Sequence, residues 1–139
     1  MIRTADTISS VQTARAIAAA EARAAAIGVA TNIAVLDAGT YLKGFVRMDG
    51  AVLGSIDLAM AKARTAALFA VSSEAVWDYC RPGAAAPNLE ASNGGLMPFP
   101  GGLPLVSTDG TLIGAVGVSG GAPSQDLDIA EAAVAALAG

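Results

Sequence analysis

Apolar residues along this chain recur at helical spacing in some stretches and run almost unbroken in others, and the switch between the two patterns lays out the fold. Ala14, Ile17, Ala18, Ala20 and Ala24 sit among strong helix formers such as Glu21, with Thr7 or Ser9-Ser10 placed to cap and Gly28 placed to stop, which predicts a helix to about Ile27. Thr31 to Leu36 is rich in strand formers. Asp37-Ala38-Gly39-Thr40 then reads as a turn and Tyr41 to Met48 as the returning strand of a first hairpin. Ile56, Ala59, Met60, Ala63, Ala67 and Leu68 restore the helical period and predict a second long helix from Leu53 to about Phe69. Ser72-Ser73-Glu74 can cap a short helix over Ala75 to Tyr79, which Pro82 and the small residues after it end. Strand-like runs at about Leu103 to Ser107 and Thr111 to Ser119 flank Asp109-Gly110, an Asp-Gly turn that favours a second hairpin. A last helix follows from Ser124 or Gln125 to Ala138. The fold class expected is α+β: one domain over residues 1–139, an antiparallel sheet of two hairpins with long helices packed on it.

Residues 82–104 break this regularity. So long a connection in so small a domain points to function or flexibility, and it holds Asn88, Glu90, Asn93, Phe99, Gly101 and Gly102.

Composition narrows the function classes. With 139 residues, 54% of them hydrophobic, the chain can bury a proper core. Its net charge of −4 and the absence of a Lys/Arg cluster argue against nucleic acid as a partner. No apolar run approaches the roughly 20 residues that span a bilayer. The start of the chain lacks a signal-peptide pattern and the single cysteine cannot form an internal disulfide, so the expectation is a cytoplasmic protein with no membrane partner. Abundant Ala and Gly with few aromatics suggest apolar surface shared between subunits, hence a homo-oligomer.

The absence of histidine removes the Ser-His-Asp triad, the Cys-His pair and the common zinc sites, and no metal site is expected. Cys80, beside Arg81, reads as a packing residue or as a charge-stabilised thiolate. The glycines from Gly114 to Gly121 lack both the Walker spacing and a strand-linked GxGxxG. They thin a strand for close packing or, at Gly120 and Gly121, open a corner to a ligand. Arg47 and Asp49 form either a turn-stabilising ion pair or, through the planar guanidinium, a site for a ligand carboxylate. Lys62, in an apolar helix, either snorkels to water or faces a pocket, where its pKa would fall and it could act as acid or base. Asp126 either complements the positive end of the last helix or accepts a proton beside the Ser119-Gly120-Gly121 corner. Trp77, Tyr79 and Phe99 flank the long loop, as anchors or as the flat walls of a pocket, and Tyr79 could in principle offer iron a phenolate. Asp57, Asp128 and Glu131 read as solvated, and Glu21 with Arg23 as serving solubility.

Five segments in order, Val35-Leu36-Asp37-Ala38-Gly39, Arg47-Met48-Asp49-Gly50-Ala51, Lys62-Ala63-Arg64-Thr65-Ala66, Gly101-Gly102-Leu103-Pro104-Leu105 and Gly114 to Gly121, resemble the GlcG-like, haem-binding-protein (HbpS-like) family, which includes the C-terminal domain of the corrinoid adenosyltransferase PduO. The resemblance implies a profilin-like domain that assembles into dimers up to octamers, with ligand pockets near subunit contacts and haem as a ligand in some members. A chain without histidine lacks the usual imidazole for haem iron, so no cofactor is expected. The leading expectation is an oligomeric small-molecule-binding protein with a pocket formed by Arg47, Asn93, Phe99, Gly101, Gly102, Ser119, Gly120 and Gly121. The alternative is a metal-free lyase or isomerase acting on a small carboxylate or aromatic substrate, with Arg47 holding an anionic group and Asp126 or Lys62 moving a proton. A third possibility makes the assembly itself the function.

Overall fold

A computed structural model of the chain describes Ile2 and residues 7–138. The elements are α1 (Ser10–Ala26), β1 (Asn32–Asp37), β2 (Leu42–Arg47), α2 (Ser55–Phe69), α3 (Ser73–Cys80), a 3-10 turn (Leu89–Ala91), β3 (Gly102–Val106), β4 (Leu112–Ser119) and α4 (Pro123–Leu137). The strands form one sheet in the order β2-β1-β4-β3, with every neighbouring pair antiparallel. Pairing of β1 with β4, Asn32 opposite Ser119 and Asp37 opposite Gly114, joins the two hairpins into an α+β domain.

Local chemistry sets the boundaries. Ser9 caps α1: its hydroxyl accepts from the Gln12 amide N–H and the Gln12 side chain accepts from the Ser9 N–H. Thr7, the other candidate cap, instead donates to the Ile113 carbonyl and accepts from the Ala38 N–H, tying the start of the chain to the sheet. Helix α4 begins at Pro123, earlier than the Ser124 or Gln125 expected, because proline suits a first helical turn that has no use for its missing N–H. Helix α3 likewise starts at Ser73, with the Ser72 hydroxyl accepting from the Ala75 N–H.

Both faces of the sheet are covered, which is why β1 reads as nearly continuous apolar sequence. Ile33, Val35, Val116 and Val118 point to one face and pack with Ala16, Ala20 and Ala24 of α1 and Ile129, Ala130 and Ala133 of α4. Leu36 and Ala115 point to the other and meet Ala63, Ala66 and Ala67 of α2. Each fully buried branched side chain contributes roughly 1.5–3 kcal/mol. Helix α2 lies against the sheet backbone itself: a side chain at Gly117 would collide with the Ala59 carbonyl, and one at Gly102 with the Lys62 carbonyl. Glycine at these positions is therefore a packing requirement.

The long connection after α3 is ordered by hydrogen bonds to helices. Arg64 donates to the Asn93 carbonyl at 2.7 Å, and the Thr65 hydroxyl accepts from the Met97 N–H at 2.9 Å. Ser73 donates to the Phe99 carbonyl at 2.6 Å while its oxygen accepts from the Gly102 N–H at 2.9 Å. Residues 93–102 are thereby fastened across α2 and α3, directly before β3.

Candidate functional site

Lys62 lies mid-way along α2 on the side facing the start of β3, and its side chain is fully buried. It does not snorkel. Gly101 makes room for it: a β-carbon there would sit 2.9 Å from Lys62 Nζ, and Gly101 itself holds φ at +126°, a conformation that favours glycine. Nζ donates to the Val118 carbonyl at 2.9 Å and to Asp126 Oδ2 at 3.0 Å, and stands 4.9 Å from the centroid of the Phe99 ring. Asp126, in the first turn of α4, accepts from the Gly121 N–H through Oδ1 at 2.9 Å. The pair thus ties together α2, β4 and the start of α4.

Side-chain exposures of 1% and 3% make this a dry ion pair. Burial pushes the Lys62 ammonium below its ordinary pKa, against the attraction of Asp126. It pushes the Asp126 carboxyl up, against the Gly121 N–H and the Lys62 charge. Every charged oxygen and the ammonium nevertheless have partners, the condition under which a buried pair persists.

The structure gathers Lys62, Asp126, Phe99, Gly101, Gly102, Ser119, Gly120 and Gly121 around this tie, but it does not bring Arg47 or Asn93 to it. Arg47 is exposed at the end of edge strand β2, in a row that runs through Asn32 to Ser119 across three strands. Two strand spacings put its backbone about 10 Å from that of Ser119. No ion pair between Arg47 and Asp49 forms among the described residues. Asn93 is exposed and contributes its carbonyl to Arg64. Cys80 is buried, and burial together with the neighbouring Glu90 raises its pKa, so the packing reading of this thiol is the one the structure favours. Arg23, read as serving solubility, forms a two-pronged surface ion pair with Asp128, at 3.0 and 2.8 Å.

On the other side of the fastened 93–102 segment, an open groove of about 970 Å³ separates it from α3. Trp77, Leu96, Met97 and Phe99 supply apolar walls, and Glu74, Asp78 and Glu90 supply carboxylates. Helix α3 makes this possible by burying Ser73, Val76 and Cys80 while turning Glu74, Trp77 and Asp78 to the groove. Tyr79 opens instead onto a second, smaller cleft with Phe69, Val71 and Leu89. Sequence reasoning singled out Trp77 and Phe99 but overlooked Ser73, Thr65 and the place of Glu90, whose signals are hydrogen bonds and contacts between residues far apart in the chain.

The profile of the family "Haem degrading protein HbpS-like" matches residues 8–135. The chain belongs to this family. It is 39% identical over 120 residues to the corrinoid adenosyltransferase PduO of Salmonella typhimurium, covering 86% of this chain and 35% of PduO. It therefore spans about a third of that relative's length. Among solved structures, the Klebsiella pneumoniae protein ORFY superposes with a TM-score of 0.92 at 31% identity, covering 98% of this chain and 94% of ORFY. A PduOC–haem complex superposes with a TM-score of 0.89 at 35% identity, covering 95% of this chain and 96% of PduOC. Among the described residues, no helix is long and apolar enough to cross a membrane.

Proposed function

We propose that this chain is an oligomeric small-molecule-binding protein of the HbpS-like type and that its ligand lies in the groove between α3 and residues 93–102. The observation that carries the reading is the groove itself: its volume suits a small ligand, its walls are aromatic and apolar, and Arg64, Thr65 and Ser73 hold one wall in place. Oligomerisation is supported by the sheet edges. Pro104 blunts β3, whereas β2 is an edge strand that begins with exposed Leu42, next to exposed Tyr41.

Haem does not fit this groove. The chain has no histidine, Met97 is the only soft donor on the walls, and the Tyr79 phenol opens elsewhere. Haem propionates would also meet Glu74, Asp78 and Glu90 with no basic side chain between them.

Trp77 is the only tryptophan and is 46% exposed at the groove, so its fluorescence reports occupancy. Titration with the uncharged, solvatochromic dye Nile red should give saturable quenching of Trp77 and a blue shift of the dye, both weakened in Phe99→Ala. Absence of any saturable change contradicts the reading. Light scattering that returns a monomer mass at micromolar protein contradicts its oligomeric part.

The enzyme alternative finds support in one observation, the meeting of Lys62 with Asp126. At their depth a substrate would have to enter where Phe99 and Gly101 now sit, and Arg47, on edge strand β2, makes no contact with either residue of the pair. Acid–base chemistry on a bound small carboxylate would appear as solvent deuterium exchange into the substrate, abolished in Asp126→Asn.

A further inference from the structure

We propose that the groove between α3 and residues 93–102 selects an organic cation with a flat or aliphatic body, an inference that rests on the small-molecule reading above and gives it a ligand class. Its charge is one-sided. Glu74, Asp78 and Glu90 line it, and no Lys or Arg does. Lys62, on the other side of Phe99, is already committed to Asp126 and the Val118 carbonyl. An anionic ligand would meet unrelieved like charge, whereas a cation would meet its complement.

Glu90 gives the second, independent observation. Its Oε2 is buried and has no hydrogen-bond partner, although its backbone is fixed by the Leu96 N–H donating to its carbonyl at 2.7 Å. A buried carboxylate oxygen left without a donor is costly, and the positive charge of a ligand in the groove would offset that cost electrostatically. The aromatic walls suit the same charge, because the faces of Trp and Phe rings attract cations. Phe99 already shows this preference toward Lys62 on the protein side. A bare metal ion fits less well: among the described residues, no group of three or more His, Cys, Asp or Glu side chains is arranged to hold one. The apolar walls ask instead for a carbon frame around the charge.

Three probes with one frame test the claim: benzyltrimethylammonium, its uncharged carbon isostere neopentylbenzene, and phenylmethanesulfonate, each read through Trp77 fluorescence. The cation should quench saturably and bind at least about tenfold tighter than the isostere, with no response to the sulfonate. Glu90→Gln should weaken the cation about tenfold and leave the isostere unchanged. Asp78 is exposed, so Asp78→Asn keeps the fold and should weaken the cation by about two- to threefold through its charge alone. Equal affinity for cation and isostere, tighter binding of the sulfonate, or indifference of the cation to both substitutions overturns the inference while leaving the small-molecule reading standing. Failure of all three probes together with Nile red overturns both.

Discussion

Phe99 stands between two acidic regions that use charge in opposite ways. On its inner side Asp126 has Lys62 and the Gly121 N–H as partners, and the pair is sealed from water. On its outer side Glu90 keeps a buried oxygen without a partner, beside an open groove that holds further carboxylates. A satisfied pair is already spent on holding the fold, whereas an unsatisfied oxygen beside open space is available to a ligand. The comparison separates structure from function more sharply than residue type does, since Asp126 and Glu90 are both carboxylates near glycine-rich chain.

Breaking the inner region should have the largest effect. Lys62→Met leaves Asp126 buried without its counter-ion and should cost about 3–5 kcal/mol in denaturant unfolding. Lys62→Met combined with Asp126→Leu should recover most of that loss, because an apolar pair needs no desolvation of charge. The direction with pH follows from the same burial. The folded-state pKa of Asp126 is raised, so its contribution to stability is fully present below the unfolded value and declines as pH rises through the folded one. Asp126→Asn should remove that acid-side gain, seen as a flatter stability profile between the two values.

Next in size is the packing that places both regions. Gly117→Ala drives a β-carbon into the Ala59 carbonyl and should cost about 1–3 kcal/mol as α2 is pushed off the sheet, read from the thermal midpoint. Ser73→Ala strips the Gly102 N–H of its acceptor and frees the Phe99 carbonyl, at about 1–3 kcal/mol. Faster hydrogen exchange at Gly102 than in α1 would show that the groove wall had loosened locally.

The smallest effect belongs to the surface pair Arg23–Asp128. Arg23 holds the Asp128 carboxyl below its ordinary pKa of 3.8, so the contribution is present above that value and fades as pH falls through the lowered one. Arg23→Gln should alter the unfolding midpoint only slightly near neutral pH, and less still in high salt.

Helices and hairpins were legible in the sequence because local chemistry decides them: the Ser9 cap, the period of α2, the Asp109-Gly110 turn. Lys62 and Asp126 were each legible as candidates, but their meeting was not. It depends on β4 carrying Val118 beneath α2, on Gly101 admitting the lysine side chain and on Gly102 admitting the α2 backbone, contacts between segments far apart in the chain. Arg47 stands apart because nearness to glycines in sequence is not nearness in space; one strand, β1, lies between its strand and β4. The groove was half legible. Trp77 and Phe99 stood out as large aromatics flanking the loop, yet Tyr79, only two positions from Trp77, turns to a different cleft, since a short helix separates such neighbours onto different faces. Nothing local announces that Thr65 and Ser73, residues of helices, hold the loop in place.

The central claim is that the groove binds the ligand and the buried pair only holds the fold. Calorimetric titration of benzyltrimethylammonium into the folded Lys62→Met/Asp126→Leu protein tests it most directly. The account predicts a Kd within about twofold of that of the unaltered protein, because neither residue lines the groove. A loss of about tenfold or more, with the fold intact, would place Lys62 and Asp126 in the binding site and contradict it.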